Sequence, residues 1–320
     1  MSRRALLSGA SGFVGAMLAR RLIADGHKVH LLLRPNHNPW RVKEIANEVT
    51  IHQVDLGDRA GIEQAVATAK PDWVFNLAGH GAYPSQRDLD SMIATNVVGT
   101  ANLVRAAELV GVEAFVNTGS SSEYGFKDHA ADEEEWIEPN SDYAVTKAAA
   151  TLFCRKTAQS AKFPIITLRL YSVFGPYEEP GRLVPTLIVH GLDGRLPPLV
   201  NPNIARDFLH VDDVCEAYLL AASTPGQEVG AVYNVGTGVQ TTLQEIVAAA
   251  RRLLAIEAEP EWGSMPERSW DTNVWVANPA RIKAALGWSP RLDLERGLMR
   301  TIAWFRENPQ HLERYRADRP

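Results

Sequence analysis

A glycine-rich turn near the amino terminus places the strongest constraint on the fold of this chain. The turn Gly9-Ala10-Ser11-Gly12-Phe13-Val14-Gly15 follows a short apolar run, Ala5–Ser8, and leads into a helical stripe of apolar residues that ends at Gly26. In a strand, turn and helix of this kind the glycines allow a tight turn, a close approach to a pyrophosphate, and close helix packing. The free amides and dipole of the helix N-terminus favour phosphate groups. The same glycines could form an ordinary turn, but the flanking strand and helix favour a dinucleotide site.

Short β-branched or leucine-rich runs alternate with longer helical segments from residue 4 to about residue 170. The predicted strands are Ala5–Ser8, Lys28–Leu33, Val49–Gln53, Trp73–Leu77, Ala114–Thr118 and Pro164–Leu170. The predicted helices cover residues 13–25, 60–69, 89–110 and 142–160. This alternation predicts an α/β protein with a doubly wound parallel sheet of the Rossmann type.

Beyond Tyr171 the chain is broken into short pieces by proline and glycine, which predicts a loop-rich lobe that shapes a specificity pocket. A helix at Asp212–Ala222 and a strand at Ala231–Val235 are expected to return to the first sheet. We therefore predict a dinucleotide-binding domain of residues 1–172 and 209–237. A smaller, discontinuous substrate lobe would contain residues 173–208 and 238–320.

Composition excludes several classes of function. The 320 residues are 45% hydrophobic and 22% charged, and the net charge of −5 gives no positive field for nucleic acid. No apolar run approaches the ~18 residues of a membrane span. Cys154 and Cys215 lie in apolar helical patterns, which suits a reducing compartment, and we expect buried thiols, no metal site and a cytoplasmic protein. The acidic run Asp132–Glu135 is expected to be a solvated loop.

The end of the second strand bears on the choice of cofactor. The sequence Leu31-Leu32-Leu33-Arg34-Pro35 carries no acidic residue to hold ribose hydroxyls, and His37 and Arg41 follow. Arginine suits a ribose phosphate, so we favour NADP over NAD, although such arginines are often only surface residues. Asp55-Leu56, after the third strand, is placed to meet the adenine, and a helix-capping Asp55 is an equal alternative.

A tyrosine and a lysine stand at helical spacing in the segment 142–160. Tyr143 and Lys147 are four residues apart and share one helix face, so the ammonium can approach the phenol. A phenol with a pKa near ~10 needs nearby positive charge to act as a base at neutral pH. A serine-rich segment, Asn117-Thr118-Gly119-Ser120-Ser121-Ser122-Glu123-Tyr124-Gly125, follows the fifth strand, at the sheet edge where α/β folds bind ligands.

Together these features resemble the extended short-chain dehydrogenase/reductase family, in its branch of nucleotide-sugar epimerases, dehydratases and reductases. Most of the chain is covered by the resemblance. Besides the glycine turn, the serine-rich strand end and Tyr143-x-x-x-Lys147, the matching motifs are Asn76-Leu77-Ala78-Gly79, Asn96 and Arg206-Asp207-Phe208-Leu209-His210-Val211-Asp212-Asp213.

The resemblance implies roles for individual residues. Tyr143 would be the acid/base, Lys147 its activator and a ligand of the cofactor ribose, and Ser120 the hydroxyl that orients the substrate. When the family motif is matched from Phe115 to Tyr124 without a gap, its substrate-orienting serine falls on Ser120. A deletion of one residue before Tyr124 would move the match to Ser121 and place Glu123 in the site. The remaining cofactor contacts implied are Leu77, Ala78, Gly79, Asn96, Thr118, Tyr171 and Val173. Asn96 would alternatively hold the active-site helix or a proton-relay water.

The implied substrate contacts are Ser122, Glu123, Ser172, Arg182, Arg206 and Arg268. Arg206 and Arg268 could grip a diphosphate, because each guanidinium offers a planar fork of donors, or they could form surface salt bridges. Ser172 stands where the family often has Asn, which puts its substrate contact in doubt. His210 is better explained by packing or a backbone hydrogen bond than by catalysis, since no His or Cys accompanies it at ligand spacing.

The resemblance implies hydride exchange between the cofactor and a sugar carbon, most often C4. We rank a keto-sugar reductase or 4-epimerase above a 4,6-dehydratase, because the gapless match leaves no Glu at the dehydratase position. The alternatives are a small-carbonyl reductase and a non-catalytic, dinucleotide-binding regulatory protein. The resemblance also implies a homodimer through the helices near 89–110 and 142–160.

Overall fold

The elements of the fold follow the predicted alternation closely. The computed structural model describes residues 2–83, 85–224, 226–266 and 271–318. Its β-strands are β1 Arg4–Ser8, β2 Lys28–Leu33, β3 Thr50–Gln53, β4 Trp73–Asn76, β5 Ala114–Ser120, β6 Ile165–Leu170, β7 Ser172–Phe174, β8 Ala205–Arg206, β9 Phe208–His210, β10 Val232–Val235 and β11 Thr241–Thr242. Its α-helices are α1 Phe13–Ala24, α2 Arg59–Ala69, α3 Leu89–Met92, α4 Thr100–Val110, α5 Asp142–Ala161, α6 Leu183–Leu192, α7 Val211–Ser223, α8 Leu243–Leu254, α9 Ala280–Leu286, α10 Leu294–Glu307 and α11 Pro309–Ala317.

One large sheet organises residues 4–235 of the chain. Within the described residues it has seven strands in the order β10-β6-β5-β4-β1-β2-β3, and every pairing is parallel. The order reverses direction between β1 and β4, which creates the crevice where doubly wound folds bind their ligands. The predicted fold class is confirmed, with strand boundaries within one or two residues of the expected ones.

Alternate residues of the central strands enter two different hydrophobic cores. On β1, Leu7 belongs to the core formed with α1 and α7, whereas Leu6 belongs to the core formed with α2, α4 and α5. The same alternation separates Phe75 from Val74 on β4. Because side chains of a strand alternate between faces, helices cover the sheet on both sides and hold its strand ends in place.

The segment after Tyr171 is more helical than expected. A third core lies between α6, α8, α10 and α11 and includes Leu187, Ile246 and Phe305. The prediction of a loop-rich lobe is wrong here because Pro185 occupies the first turn of α6, where a missing N–H costs little. Every fully buried member of this core lies in residues 173–208 or 238–320, and the division into two domains at those limits stays a prediction.

Several other expectations concern burial. Cys154 and Cys215 are buried and unpaired, as predicted. The acidic run Asp132–Glu135 is only partly solvated, because Glu133 is buried and accepts a hydrogen bond from the Asn234 backbone N–H at 2.7 Å. Among the described residues no group of three metal-ligating side chains occurs. Nor does this part of the chain contain a helix with the length and apolarity needed to cross a membrane.

Candidate active site

The glycine turn is packed against the loop that follows β4, across the crevice of the sheet. Gly9 has φ +70°, and a Cβ at this position would lie 2.4 Å from the backbone nitrogen of Ala78. A Cβ at Gly15 would lie 2.4 Å from the carbonyl oxygen of Gly9. Both positions therefore require glycine, the first for backbone conformation and close approach, and the second so that α1 can pack on the turn.

The start of α1 fits the pyrophosphate of a dinucleotide. Gly12 is the N-cap residue, and no side chain caps the helix. Its first amides therefore face the crevice with the positive end of the helix dipole and without a side-chain acceptor. Leu77, Ala78 and Gly79 form the opposite wall, and Gly79 is exposed there.

The predicted adenosine-side residues have different surroundings. Arg34 is exposed directly after β2. No acidic residue stands at the end of this strand, as described for the sequence. Arg41 is buried instead, and its guanidinium contacts the carbonyl oxygens of Tyr177 at 2.7 Å and Ser11 at 3.4 Å. Asp55 is exposed and accepts a hydrogen bond from Gly57. It does not cap α2, because Asp58 has that position, so the capping alternative is wrong.

The predicted Tyr143 and Lys147 pair lies at the carboxyl end of β5. Ser141 caps α5, so Tyr143 falls in the first turn of the helix and Lys147 one turn later. The Lys147 ammonium donates a hydrogen bond to the Thr118 carbonyl oxygen, which ties the helix to the strand end. Burial lowers the pKa of Lys147. Burial raises the pKa of Tyr143 to about 12, while the nearby Ser120 hydroxyl opposes that rise. In this state the phenol keeps its proton.

The serine-rich segment presents one hydroxyl to Tyr143 and turns the next away. Ser120 ends β5, and its hydroxyl lies 2.7 Å from that of Ser122. Ser121 is buried and its hydroxyl accepts a hydrogen bond from the Trp275 indole at 3.1 Å. Of the two candidates for the substrate-orienting hydroxyl, the structure thus brings Ser120, with Ser122 beside it, toward the phenol.

Glu123, which the resemblance suggests as a substrate contact, is buried and paired within the protein. Its side chain is 0% exposed, and its carboxylate forms an ion pair with Arg169 at 2.9 Å. The same carboxylate accepts hydrogen bonds from the Ser120 amide at 2.8 Å and the Thr151 hydroxyl at 3.0 Å. A short 3₁₀ turn, Ser121–Tyr124, points residue 123 inward, so this carboxylate supports the backbone of the site.

Asn96 is buried between the loop after β4 and α5. It sits in a π-helical stretch, Ile93–Gly99, that joins α3 to α4, and it is 0% exposed. Its side-chain oxygen accepts a hydrogen bond from the His80 backbone N–H at 2.8 Å. Its side-chain nitrogen donates to the His80 carbonyl oxygen at 2.8 Å and to the Thr146 hydroxyl at 2.9 Å. Asn96 therefore positions the loop after β4 against α5, as the helix-holding alternative predicts, and its role as a cofactor ligand stays a prediction.

The remaining predicted residues lie on β5, around β7 and at the start of α6. The hydroxyl of Thr118 lies 2.5 Å from that of Tyr218. Ser172 and Val173 are half-buried, and the Ser172 amide bonds the Asp207 carbonyl. Tyr171 is buried at the end of β6. Arg182 is exposed at the start of α6, with its guanidinium 5.2 Å from the centre of the Tyr83 ring.

An open cleft of about 700 Å³ is lined by Phe126, Lys127, Asp128, Asp271, Thr272, Asn273 and Val274. Arg206 reaches its lining, with an ion pair to Asp271 at 2.9 Å and its guanidinium 5.7 Å from the Trp275 ring centre. The predicted Arg268 lies outside the described residues. His210 caps α7 by accepting a hydrogen bond from the Asp212 amide, so the structural interpretation is confirmed.

Two polar side chains that are withdrawn from solvent could not be singled out from the sequence. Tyr83 follows the motif after β4, and Glu178 follows Gly175-Pro176. Tyr83 and Arg182 both influence the pKa of Tyr143, and the Arg182 guanidinium lies 5.2 Å from the centre of the Tyr83 ring. The only signal in the sequence was their position in loops that follow strands of the sheet.

Comparison with known proteins agrees with this geometry. A full-length relative, the UDP-glucose 4-epimerase of Mycolicibacterium smegmatis, is 30% identical, covering 96% of this chain and 100% of the relative. The dTDP-glucose 4,6-dehydratase of Streptomyces griseus is 29% identical over 96% of this chain and 95% of its own length. The crystal structure of Thermus thermophilus UDP-glucose 4-epimerase in complex with NAD superposes with a TM-score of 0.83 at 28% identity, covering 95% of this chain and 99% of that one.

The doubly wound sheet, the uncapped glycine turn and the Tyr143 and Lys147 pair define an NAD(P)-dependent enzyme of the extended short-chain dehydrogenase/reductase kind. The model of the NAD dependent epimerase/dehydratase family matches residues 5–236. The chain belongs to this family.

Proposed function

We propose that the chain transfers a hydride at C4 of a nucleotide-diphosphate sugar, as a keto-sugar reductase or a 4-epimerase. The observation that carries this proposal is the grouping of Tyr143, Lys147 and Ser120 at the end of β5, beside the crevice of the glycine turn. The relatives named above, an epimerase and a dehydratase of nucleotide sugars, support this substrate class.

The residues of the chain have distinct tasks in this chemistry. The dinucleotide, held by the amides of the turn Gly9–Gly15, supplies or accepts the hydride when bound. Tyr143 gives the proton to the sugar oxygen during reduction and takes it during oxidation. Lys147 lowers the cost of the phenolate by placing its positive charge near it. Ser120 orients the reacting oxygen. The protonated phenol, which burial favours, is the form that donates a proton to a ketone oxygen.

Dehydration is less well supported than reduction or epimerisation. It needs an acid/base next to the Ser120 position, at the carbons beside C4. The two following residues, Ser121 and Ser122, carry no carboxyl group, and the Glu123 carboxylate is occupied by Arg169. The serine-rich loop therefore lacks the group that a 4,6-dehydratase would use.

The nucleotide half of the substrate is assigned to the cleft lined by residues 126–128 and 271–274. Arg206, at this lining, offers a fork of donors that matches a diphosphate. Ligand pockets are typically ~300–1,000 Å³, and the cleft is within that range. Arg182 is the second candidate cation, closer to the phenol.

For the cofactor we propose NADP over NAD. Arg34 is exposed directly after β2, and no carboxylate stands there to accept hydrogen bonds from ribose hydroxyls. Arg41 is not the phosphate ligand that its position suggested, because its guanidinium is bound to Glu179 at 2.7 Å. The proposal therefore depends on Arg34.

We also propose a homodimer. Apolar side chains on α3, the π-helical stretch and α5 are more than 40% exposed, namely Leu89, Ile93, Val145 and Leu152. These elements pack against one another, and exposed apolar side chains on neighbouring helices suit a two-fold interface. Sedimentation velocity should give the mass of two chains for the wild type and the mass of one chain for the Leu152→Arg variant.

The decisive experiment measures hydride transfer by nicotinamide absorbance with a panel of nucleotide sugars, nucleotide keto sugars and small carbonyl compounds. Tyr143→Phe should lower kcat by about 10²–10⁴-fold while the protein still binds dinucleotide, since only the proton donor is lost. Tyr233→Phe, which removes a phenol from the edge strand β10, is the matched control and should keep full activity. Equal activity in Tyr143→Phe would refute the proposal. Turnover of small carbonyl compounds alone would support a small-carbonyl reductase. Dinucleotide binding without any turnover would support a regulatory protein.

A further inference from the structure

Trp275 contacts two residues of the candidate active site that lie on different elements. It belongs to residues 271–277, the segment before α9, and is half-buried. Its indole nitrogen donates a hydrogen bond to the Ser121 hydroxyl at 3.1 Å. On its ring face lies the guanidinium of Arg206, 5.7 Å from the ring centre. One side chain therefore connects the serine-rich strand end to the arginine assigned to the diphosphate.

The backbone of this segment is held against both neighbours of Arg206. The Thr272 carbonyl oxygen accepts a hydrogen bond from the Ala205 N–H at 3.0 Å. The Ala277 N–H donates one to the Asp207 carboxylate at 3.1 Å. Because the segment is fixed before and after the indole, the indole is held beside the strand β8 that carries the arginine.

The indole lies next to the cleft assigned to the nucleotide. Val274, its neighbour in the chain, lines this cleft and also a small recess beside it. Trp275 lines the recess together with Ser121 and Tyr171. The contacts of the indole thus extend from the arginine at the cleft to the strand end that presents the catalytic hydroxyl.

The Arg206 guanidinium is restrained from several directions. Asp271 forms an ion pair with it at 2.9 Å, and the Ala205 carbonyl oxygen accepts a hydrogen bond from it at 2.7 Å. The indole face adds an electrostatic attraction for the cation. A guanidinium that is already ordered loses less conformational freedom when it binds a diphosphate. The indole can supply this order only while its own ring is fixed, and the hydrogen bond to Ser121 fixes it.

We propose that Trp275 is a positioning residue that orients the Arg206 guanidinium toward the diphosphate of the substrate, and that Ser121 holds the indole in place for this task. The proposal rests on the proposed function, since it assigns the diphosphate to Arg206. Trp275 would act through the arginine and leave the reacting carbon untouched. The two adjacent serines would then serve opposite ends of one ligand: Ser120 the sugar oxygen, and Ser121 the diphosphate.

The test measures the Kd of four probes, UDP, dTDP, ADP and GDP, by calorimetry in the presence of the dinucleotide. For the probe that binds most tightly, Trp275→Leu should raise Kd about tenfold, because the aromatic face is lost. Trp275→Phe keeps an aromatic face and loses the N–H donor, so Kd should rise only about threefold. Trp136→Phe is the matched control, because Trp136 is 81% exposed, and it should keep the Kd of the wild type.

Combined variants distinguish positioning from direct contact with the ligand. In an Arg206→Ala background, Trp275→Leu should change Kd by less than about twofold, since the group through which it acts is absent. Ser121→Ala should match Trp275→Phe, and the double variant should be no weaker than either, because both remove the same hydrogen bond. In turnover, KM for the nucleotide sugar should rise in parallel with Kd, with kcat within about threefold.

Three results would overturn the proposal. If Arg206→Ala weakens binding and Trp275→Leu leaves Kd unchanged, the indole does not position the arginine. If the effects of Trp275→Leu and Arg206→Ala are fully additive, the indole contacts the ligand by itself. If Ser121→Ala, which leaves the indole in place, keeps the Kd of the wild type, Ser121 does not hold the ring.

Failure of the proposed function would give a different pattern. The wild type would then bind none of the four nucleoside diphosphates and turn over no nucleotide sugar, and the positioning role would fall with it. Failure of the positioning role alone would leave wild-type binding, and its loss in Arg206→Ala, intact.

Discussion

The Glu123 carboxylate lies 2.9 Å from Nε of Arg169, and both side chains are almost completely buried beneath the strand end that carries Ser120. The Arg169 guanidinium also lies 4.5 Å from the centre of the Tyr124 ring. The pair joins β6 to the turn after β5, and Glu123 additionally bonds the Ser120 amide. A buried ion pair thus fixes the backbone from which the substrate-orienting hydroxyl projects.

We predict that Arg169→Met destabilises the protein by about 3–5 kcal/mol, because it leaves the Glu123 carboxylate buried without its cation. Urea unfolding followed by circular dichroism measures the change. The double variant Arg169→Met with Glu123→Leu should recover most of the loss, since an apolar pair can replace a buried ion pair. A double variant no more stable than Arg169→Met would contradict this account.

The two neighbouring serines should respond differently to truncation. Ser120→Ala removes the hydroxyl nearest Tyr143 and should lower kcat by about 10–100-fold, on the scale of a lost hydrogen bond to the reacting oxygen. Ser121→Ala removes only the bond to the Trp275 indole and should keep kcat within about threefold. Steady-state kinetics of both variants at saturating cofactor tests the assignment. A larger loss of kcat in Ser121→Ala would exchange the two roles.

Arg206 should act on substrate affinity and little on the chemical step. Arg206→Ala should raise KM for the nucleotide sugar by about 10–100-fold, because a charged donor to the diphosphate is lost, while kcat falls by less. Arg252→Ala, which removes an exposed ion pair with Glu295, is the surface control. Substrates without a diphosphate should be insensitive to Arg206→Ala. An unchanged KM for nucleotide sugars would remove Arg206 from the site.

Arg34 should decide between the two dinucleotides. Arg34→Ala should raise KM for NADP by about tenfold and leave KM for NAD nearly unchanged, because only NADP carries the ribose phosphate. Arg34→Asp should reverse the preference, since a carboxylate accepts hydrogen bonds from both ribose hydroxyls. Arg59→Ala, on the exposed face of α2, is the control. Equal changes for NAD and NADP would assign Arg34 to the surface.

Much of the sheet could be predicted because its strands are short apolar runs separated by helices of clear period. The glycine turn was predictable for a related reason: close approach to Ala78 and to the Gly9 carbonyl requires glycine at two fixed spacings. The helical second lobe could not be predicted in the same way, because proline usually indicates a break, whereas Pro185 lies in a first turn that is compatible with a helix.

Side-chain direction was the part of the site that the sequence could not provide. Glu123 stands three residues from Ser120, yet a 3₁₀ turn directs it into the core. Asn96 stands in a helix whose π-helical stretch directs its amide to His80 and Thr146. Glu178 is an ordinary acidic residue in the sequence, and only the surrounding fold removes water from its carboxyl group.

The contacts of Arg41 have a consequence for engineering this enzyme. Its guanidinium joins the segment that follows β2 to the glycine turn at Ser11 and to the loop of Tyr177 and Glu179. A graft that exchanged residues 34–41 to change the coenzyme would also release the loop that carries Glu178. Segments transplanted from a homologue should therefore include both stretches together, with their own arginine and its acidic counterpart.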